Sequence, residues 1–340
     1  MNAPNFWNKE NSFLSSLLKP ISFMYAAMTR HRVKKKGYKS AVPVICVGNI
    51  FVGGVGKTPV CLALGKLLHE KGKSFYYLNH GYKADKQNVL VDERMHTALD
   101  VGDEALLLNE EAPTVVSSNR AKGAKLAEKW GAKALIMDDG FQNPKLKKDF
   151  SFVVVDGKKG FGNGRVLPSG RVLPSGPLRE PVLEGLKRAN AIIIAGEDTW
   201  GVKFYLDRHG VQLPVLTGHF ELDSTVVALF AGKRVFAFAG LGNPQKFYSS
   251  LQEKNIFVEK TEDFPDHYYY TRFDVEELKK KAGGLPLLTT EKDGVKLPKD
   301  ERQNVFVMPG QFVFDDPDAL WSLLQGVLNV SDSSGETSTI

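Results

Sequence analysis

The residues with the clearest chemical meaning lie in one run, Gly48-Asn49-Ile50-Phe51-Val52-Gly53-Gly54-Val55-Gly56-Lys57-Thr58-Pro59. Glycines at 53, 54 and 56 let successive backbone N–H groups curl around phosphate oxygens; Lys57 can reach a terminal phosphate and the Thr58 hydroxyl can ligate Mg2+. The strict G-x-x-x-x-G-K-[ST] spacing fails at Phe51, so the loop is a variant, with nucleotide contacts expected from Phe51, Val52, Gly53, Gly54, Val55, Gly56, Lys57 and Thr58. Further along, the apolar run from Ala134 to Met137 ends in Asp138-Asp139-Gly140-Phe141-Gln142. Two acids at a strand end either stand beside a loop-bound Mg2+ or are solvated turn residues. Asp103 and Glu104 raise a similar choice: Asp103 caps the helix that follows, or the pair supplies a general base and a metal-directed carboxylate. His267, next to three tyrosines, reads as a hydrogen-bonded structural histidine or as a catalytic partner.

The elements that must position these groups are legible as period and punctuation. Buried strands are expected at 42–47, 74–78, 114–116, 134–138, 152–155 and 191–195, with helices at 60–71 and 120–129 between them. That βαβ rhythm implies an α/β fold with a parallel sheet. The pattern weakens over 198–231 and restarts with Val235-Phe236-Ala237-Phe238-Ala239-Gly240, so the reading divides the chain into 1–36, 37–215, a smaller α/β domain at 216–330 and a polar tail at 331–340. Within the glycine- and proline-rich stretch after Asp156, Arg-Val-Leu-Pro-Ser-Gly occurs at 165–170 and again at 171–176, which reads as a tolerated loop insertion.

A net charge of +6 and a pI near 9.0 fit an anionic partner without choosing among membrane, nucleic acid and phosphorylated substrate. The two cysteines, Cys46 and Cys61, read as small core residues in a reducing compartment, which excludes a disulfide or zinc framework. Phe13, Leu14, Leu17, Leu18, Ile21, Met24, Tyr25 and Met28 recur at helical spacing, Pro20 is expected to kink that helix, and Arg30, His31, Arg32, Lys34, Lys35 and Lys36 crowd its end. Such a helix suits an anionic membrane surface, or it packs on the protein's own core. It is too short and too interrupted to span a bilayer and lacks the order of a signal peptide, so a cytoplasmic, peripheral protein is expected.

Taken together, GNIFVGGVGKTP at 48–59, VGDEALLL at 101–108, DDGFQ at 138–142, GPLREP at 176–181, FAGLGNPQKF at 238–247, FPDH at 264–267 and TTEKDGVKL at 289–297 resemble the tetraacyldisaccharide 4'-kinase family, the lipid A kinases. The resemblance implies a P-loop NTPase-like α/β/α domain and a second, smaller α/β domain. It implies transfer of the γ-phosphoryl group of ATP, with Mg2+, to the 4'-hydroxyl of a tetraacylated glucosamine disaccharide 1-phosphate, at the cytoplasmic face of the inner membrane; a monomer is expected, though the sequence itself does not give the oligomeric state. It makes Lys57 and Thr58 the phosphate and metal contacts, Asp103 the base and His267 its partner. Asp139 joins the catalytic set, while Glu104, Asp138 and Gln142 surround the metal, and Arg120 and Arg179 neutralise phosphate charge.

The chain departs from the family pattern at His80, where an arginine is usual, at Asn143, where a histidine is common, and in the duplicated hexapeptide, which leaves Arg165 and Arg171 competing for one position. Two other classes of function fit less well. A guanine-nucleotide switch needs N/T-K-x-D, and Thr290-Glu291-Lys292-Asp293 lacks the intervening residue. A nucleic-acid-binding ATPase would spread its basic residues along one face with stacking aromatics, whereas here the densest basic run follows an amphipathic helix. A membrane-peripheral ATPase or nucleotide switch is the alternative reading, and no nucleic acid is expected as partner.

Overall fold

The computed structural model describes residues 4–8, 12–161 and 171–329. In chain order the strands are β1 (Val44–Gly48), β2 (Tyr76–Asn79), β3 (Val89–Leu90), β4 (Thr114–Val116), β5 (Leu135–Asp138), β6 (Phe150–Asp156), β7 (Ala191–Ala195), β8 (Val215–Leu222), β9 (Arg234–Ala239), β10 (Phe257–Asp263), β11 (Leu287–Thr290), β12 (Phe306–Met308) and β13 (Gly310–Phe314). A nine-stranded sheet runs in the order β13-β8-β7-β6-β1-β5-β2-β4-β3, parallel except at its two edges. β1 is buried throughout, and its side chains alternate between two cores: Val44 and Cys46 enter one, Ile45 and Val47 the other. Cys46 and Cys61 are free and lie on opposite faces of the sheet, as small core residues do.

The helix Lys57–Glu70 lays Val60, Cys61, Leu64, Leu67 and Leu68 on one face, beside Leu320, Leu324 and Leu328 of the helix Pro317–Asn329. A second sheet, β10-β9-β11-β12, is wholly parallel and has its own core on each face. The boundary expected at 215 differs from this topology. β8 pairs with β7 in the large sheet, and β13 returns after the small sheet to pair with β8, so the small sheet is an insertion between them. The sequence hid this because β8 is an outer strand with a half-exposed pattern, which looks like a junction.

The N-terminal segment also differs in detail. It forms two helices, Phe13–Leu17 and Lys19–Val33, with a break at Leu18 and Pro20 in the first turn of the second, where its missing N–H costs nothing. The seam against the protein is small and polar, with Ser15, Ser22, Ala26 and Thr29 buried. It docks on the second copy of the repeated hexapeptide: Ser15 Oγ donates to the Ser175 carbonyl at 2.5 Å, Ser22 Oγ donates to the Val172 carbonyl at 2.6 Å and accepts from Ser175 N at 3.0 Å. Arg171 donates to Ser15 Oγ, and Arg30 pairs with Glu184. Residues 171–176 form a seat for the N-terminal helices, while 165–170, with Arg165, lie outside the described residues. Leu18 and Tyr25 turn inward, leaving Phe13, Leu17, Phe23, Met24 and Met28 outward, each more than half exposed, from 62% to 82%.

Candidate active site

β1 ends at Gly48, where a side chain would run into Phe141 Cβ at 2.6 Å, so the turn that follows the acids packs directly on the end of β1. Gly56 caps the helix Lys57–Glu70 in the left-handed region, at φ 81°, which favours glycine. The loop is strapped along one side: Val52 N donates to the Pro177 carbonyl at 2.9 Å and Arg179 N to the Ile50 carbonyl at 2.8 Å. This strap delivers Arg179 to the acids.

The register Val47↔Asp138 puts the end of β5 beside the loop. Asp138 is buried; its Oδ2 accepts from Thr58 Oγ1 at 3.1 Å and from Asn79 Nδ2 at 3.3 Å, while its Oδ1 has no protein partner. Burial raises its carboxyl above the ordinary range, against the pull of Lys57. Asp139 next door is turned by a positive φ of 47° towards the cations. Arg179 grips it with two bonds of 2.8 and 3.1 Å, and Lys57 Nζ lies 3.6 Å away. Burial would raise Asp139 too, but Lys57 and Arg179 outweigh it and hold the carboxyl below its usual value.

Two expected roles are corrected by these surroundings. Arg120 is 1% exposed and donates to the carbonyls of Leu78 (3.1 Å) and Asp138 (2.6 Å), so it ties the ends of β2 and β5 together and is not presented to a phosphate. Gln142 donates from its nitrogen to the Asn49 carbonyl at 2.7 Å and Glu180 Oε1 at 3.0 Å, bracing the loop from below, and its Oε1, the atom a metal would use, already accepts from Arg179 at 3.3 Å. His80 is exposed at the surface, yet partial desolvation of its ring and then Arg120 lower its pKa, so it is a poorer cation than the arginine usual there.

Opposite stands a second station. Asp103 opens the helix Asp103–Glu111 after Gly102, whose φ of 91° suits glycine, and its Oδ1 accepts from Glu104 N at 2.9 Å. The cap position is held by Gly102 with no side-chain capping bond, so Asp103 opens the first turn and does not cap the helix. Asp103 Oδ2 meets His267 Nδ1 at 2.9 Å, across from the small sheet, and the Tyr82 ring stacks 5.2 Å from the imidazole. Burial pushes Asp103 up, but the His267 hydrogen bond and Lys292 hold it below the ordinary carboxylate range. Glu104 lies within electrostatic reach of Asp138 and Lys57 on one side and of Asp103 and Lys292 on the other, which links the two stations; burial first, then Asp138, push it up to about 7.

Lys292 and Asp266 were not singled out by sequence reasoning. Lys292 Nζ sits 3.8 Å from Asp103 Oδ2 and 3.5 Å from Asp266 Oδ1. The only signal was their place in the strings at 264–267 and 289–297. Asn79 was likewise missed as the partner of Asp138.

Among the described residues no three His, Cys, Asp or Glu side chains form a metal cluster. Mg2+ needs no such cage, since it is bound through one or two carboxylates, waters and substrate phosphates. The unpartnered Asp138 Oδ1 beside Thr58 fits that requirement.

A family model described as tetraacyldisaccharide-1-P 4'-kinase matches residues 14–329. The chain belongs to this family. The tetraacyldisaccharide 4'-kinase of Rhodospirillum rubrum is 43% identical over 333 residues, covering 96% of this chain and 98% of that one. That of Rhodospirillum centenum is 42% identical over 344 residues, covering 99% of each. Among solved structures, LpxK from Aquifex aeolicus in complex with ATP superposes with a TM-score of 0.73 at 30% identity, over 93% of this chain and all of that one. The P-loop NTPase-like α/β fold expected for a tetraacyldisaccharide 4'-kinase is the fold observed.

The raised carboxyl of Glu104 has a thermodynamic consequence. Its folded value of about 7 lies above the ordinary 4.5, so the folded chain takes up a proton that the unfolded chain does not. The stability this contributes is complete below the unfolded value and lost as pH rises through about 7. Without metal or nucleotide, Glu104→Gln is expected to melt about 2–4 °C above the native chain at pH 8 and level with it at pH 5. An equal gain at both pH values in thermal melts would contradict the burial of this charge.

Proposed function

We infer that this chain transfers the γ-phosphoryl group of ATP to the 4'-hydroxyl of a tetraacylated disaccharide 1-phosphate, the lipid A precursor. The observation that carries the reading is the pairing of a phosphate loop and its acids with a buried Asp103–His267 pair supplied from two sheets. Lys57 and the backbone of residues 51–58 take the phosphates of ATP. Asp139, gripped by Arg179, positions Lys57, which moves from carboxylate to phosphate when the nucleotide enters. Asp138 and Thr58, with Glu104 nearby, would hold Mg2+, which supplies charge neutralisation at the phosphates. Asp103 stays ionised at neutral pH and accepts the hydroxyl proton late in the transfer, while His267 orients its carboxylate.

Offered γ-labelled ATP, magnesium and the disaccharide precursor in detergent micelles, the chain is expected to move label to the lipid and to ignore GTP and single-stranded DNA. Release of label as free phosphate alone would support the membrane-peripheral ATPase instead.

The outward face of the N-terminal helices supports peripheral binding to an anionic membrane, on the cytoplasmic face where ATP is available. No helix among the described residues is long and apolar enough to cross a bilayer. Phe13, Phe23, Met24 and Met28 have little else to cover them, each contributing about 1.5–3 kcal/mol if fully transferred to lipid. The basic residues 30–36 follow directly. Replacing those four with serine is expected to lower binding to phosphatidylglycerol vesicles by more than about tenfold in flotation assays; unchanged binding would assign the face another role.

A further inference from the structure

The cations around the nucleotide loop serve the fold or the nucleotide. Arg120 is spent on carbonyls, Arg179 is forked onto Asp139, and Lys57 lies against the same carboxylate. All three stand on the donor side. The acceptor side is acidic, with Asp103, Glu104 and Asp266 facing one another, and an arriving phosphoryl group would add negative charge to that cluster. Lys292 stands among these three acids.

We propose that Lys292 is a further catalytic residue, the cation that meets the transferring phosphoryl group on its acceptor side; this rests on the kinase reading above. Its ammonium is shared and not spent: 3.8 Å to Asp103 Oδ2 and 3.5 Å to Asp266 Oδ1 are both longer than a tight hydrogen bond. Its side chain is 24% exposed, so it is open to an arriving group while remaining shielded enough for its charge to count.

The platform under Lys292 is rigid. Its neighbour Asp293 is fully buried and accepts from Gly240 N at 3.0 Å, Tyr270 O–H at 3.0 Å and Thr290 Oγ1 at 2.7 Å, with Lys296 Nζ at 2.8 Å. Tyr270 belongs to the loop that carries His267, so one buried network seats both the imidazole and the ammonium that face Asp103. In the step itself the 4'-oxygen bonds to the γ-phosphorus as the bond from that phosphorus to the β,γ-bridging oxygen breaks. ADP leaves with the electron pair, and the hydroxyl proton passes to Asp103. Lys292 keeps its own proton throughout and offsets the charge gathering on the equatorial oxygens.

The test compares the native chain with Lys292→Met and Lys292→Arg. Label transfer by the native chain is measured first; its absence would remove the kinase reading and this inference with it. Given transfer, Lys292→Met is expected to lose about a hundredfold in kcat with KM for ATP within about twofold, and Lys292→Arg to recover at least about tenfold of the loss. Aluminium fluoride with magnesium and the disaccharide should tighten ADP binding to the native chain but not to Lys292→Met. Turnover of Lys292→Met within about threefold of native, a loss mirrored in ATP affinity, or retained tightening by aluminium fluoride would each overturn the assignment while leaving the kinase reading intact.

Discussion

The hydrogen bond between Asp103 Oδ2 and His267 Nδ1 joins residues 164 positions apart and ties the large sheet to the small one at the point where chemistry is placed. A carboxylate that is 3% exposed can stay charged only if its surroundings replace water. Here they do so from both sides: the first turn of its own helix supplies one N–H, and the small sheet supplies an imidazole and an ammonium. His267 itself sits at a φ of 61°, a left-handed conformation costing about 1–2 kcal/mol outside glycine. That strain is held by packing against Tyr82 and by Tyr269, whose hydroxyl donates to the Ala98 carbonyl at 3.3 Å.

The same logic separates the adjacent acids at the end of β5. Asp138 is enclosed by the sheet and raised; Asp139, one residue on, is turned towards Lys57 and Arg179 and lowered. Neighbouring carboxylates thus have opposite environments, one left with an unpartnered oxygen beside Thr58 and the other held between cations. Arg120 beneath them is the hidden support, holding two strand ends at the spacing the loop needs.

What the sequence made legible was whatever follows from local pattern. Runs such as Val44 to Val47 and Ile192 to Ile194 are apolar on both faces and read as central parallel strands, and the glycines with Lys57 and Thr58 read as a phosphate loop. What it hid depends on partners far away in the chain. β8 looked like a junction because its second partner, β13, arrives some ninety residues later, after the whole small sheet. The N-terminal helices showed their apolar positions but not that the buried seam would be Ser15, Ser22 and Thr29, since serines count as surface residues until Ser175 and Val172 meet them. Arg120 and Gln142 have the right chemistry for phosphate and metal, and only their neighbours, carbonyls around the guanidinium of Arg120 and Arg179 beside Gln142 Oε1, reveal that it is already used.

The central claim, that Asp103 and His267 act as one unit across the two sheets, is tested most directly by a double-mutant cycle on kcat. Asp103→Ala is expected to cost about a hundredfold or more, and adding His267→Ala to it should cost little further, because the second residue works through the first. If the two losses multiply as independent effects, the pair is not a unit and the account fails at its joint.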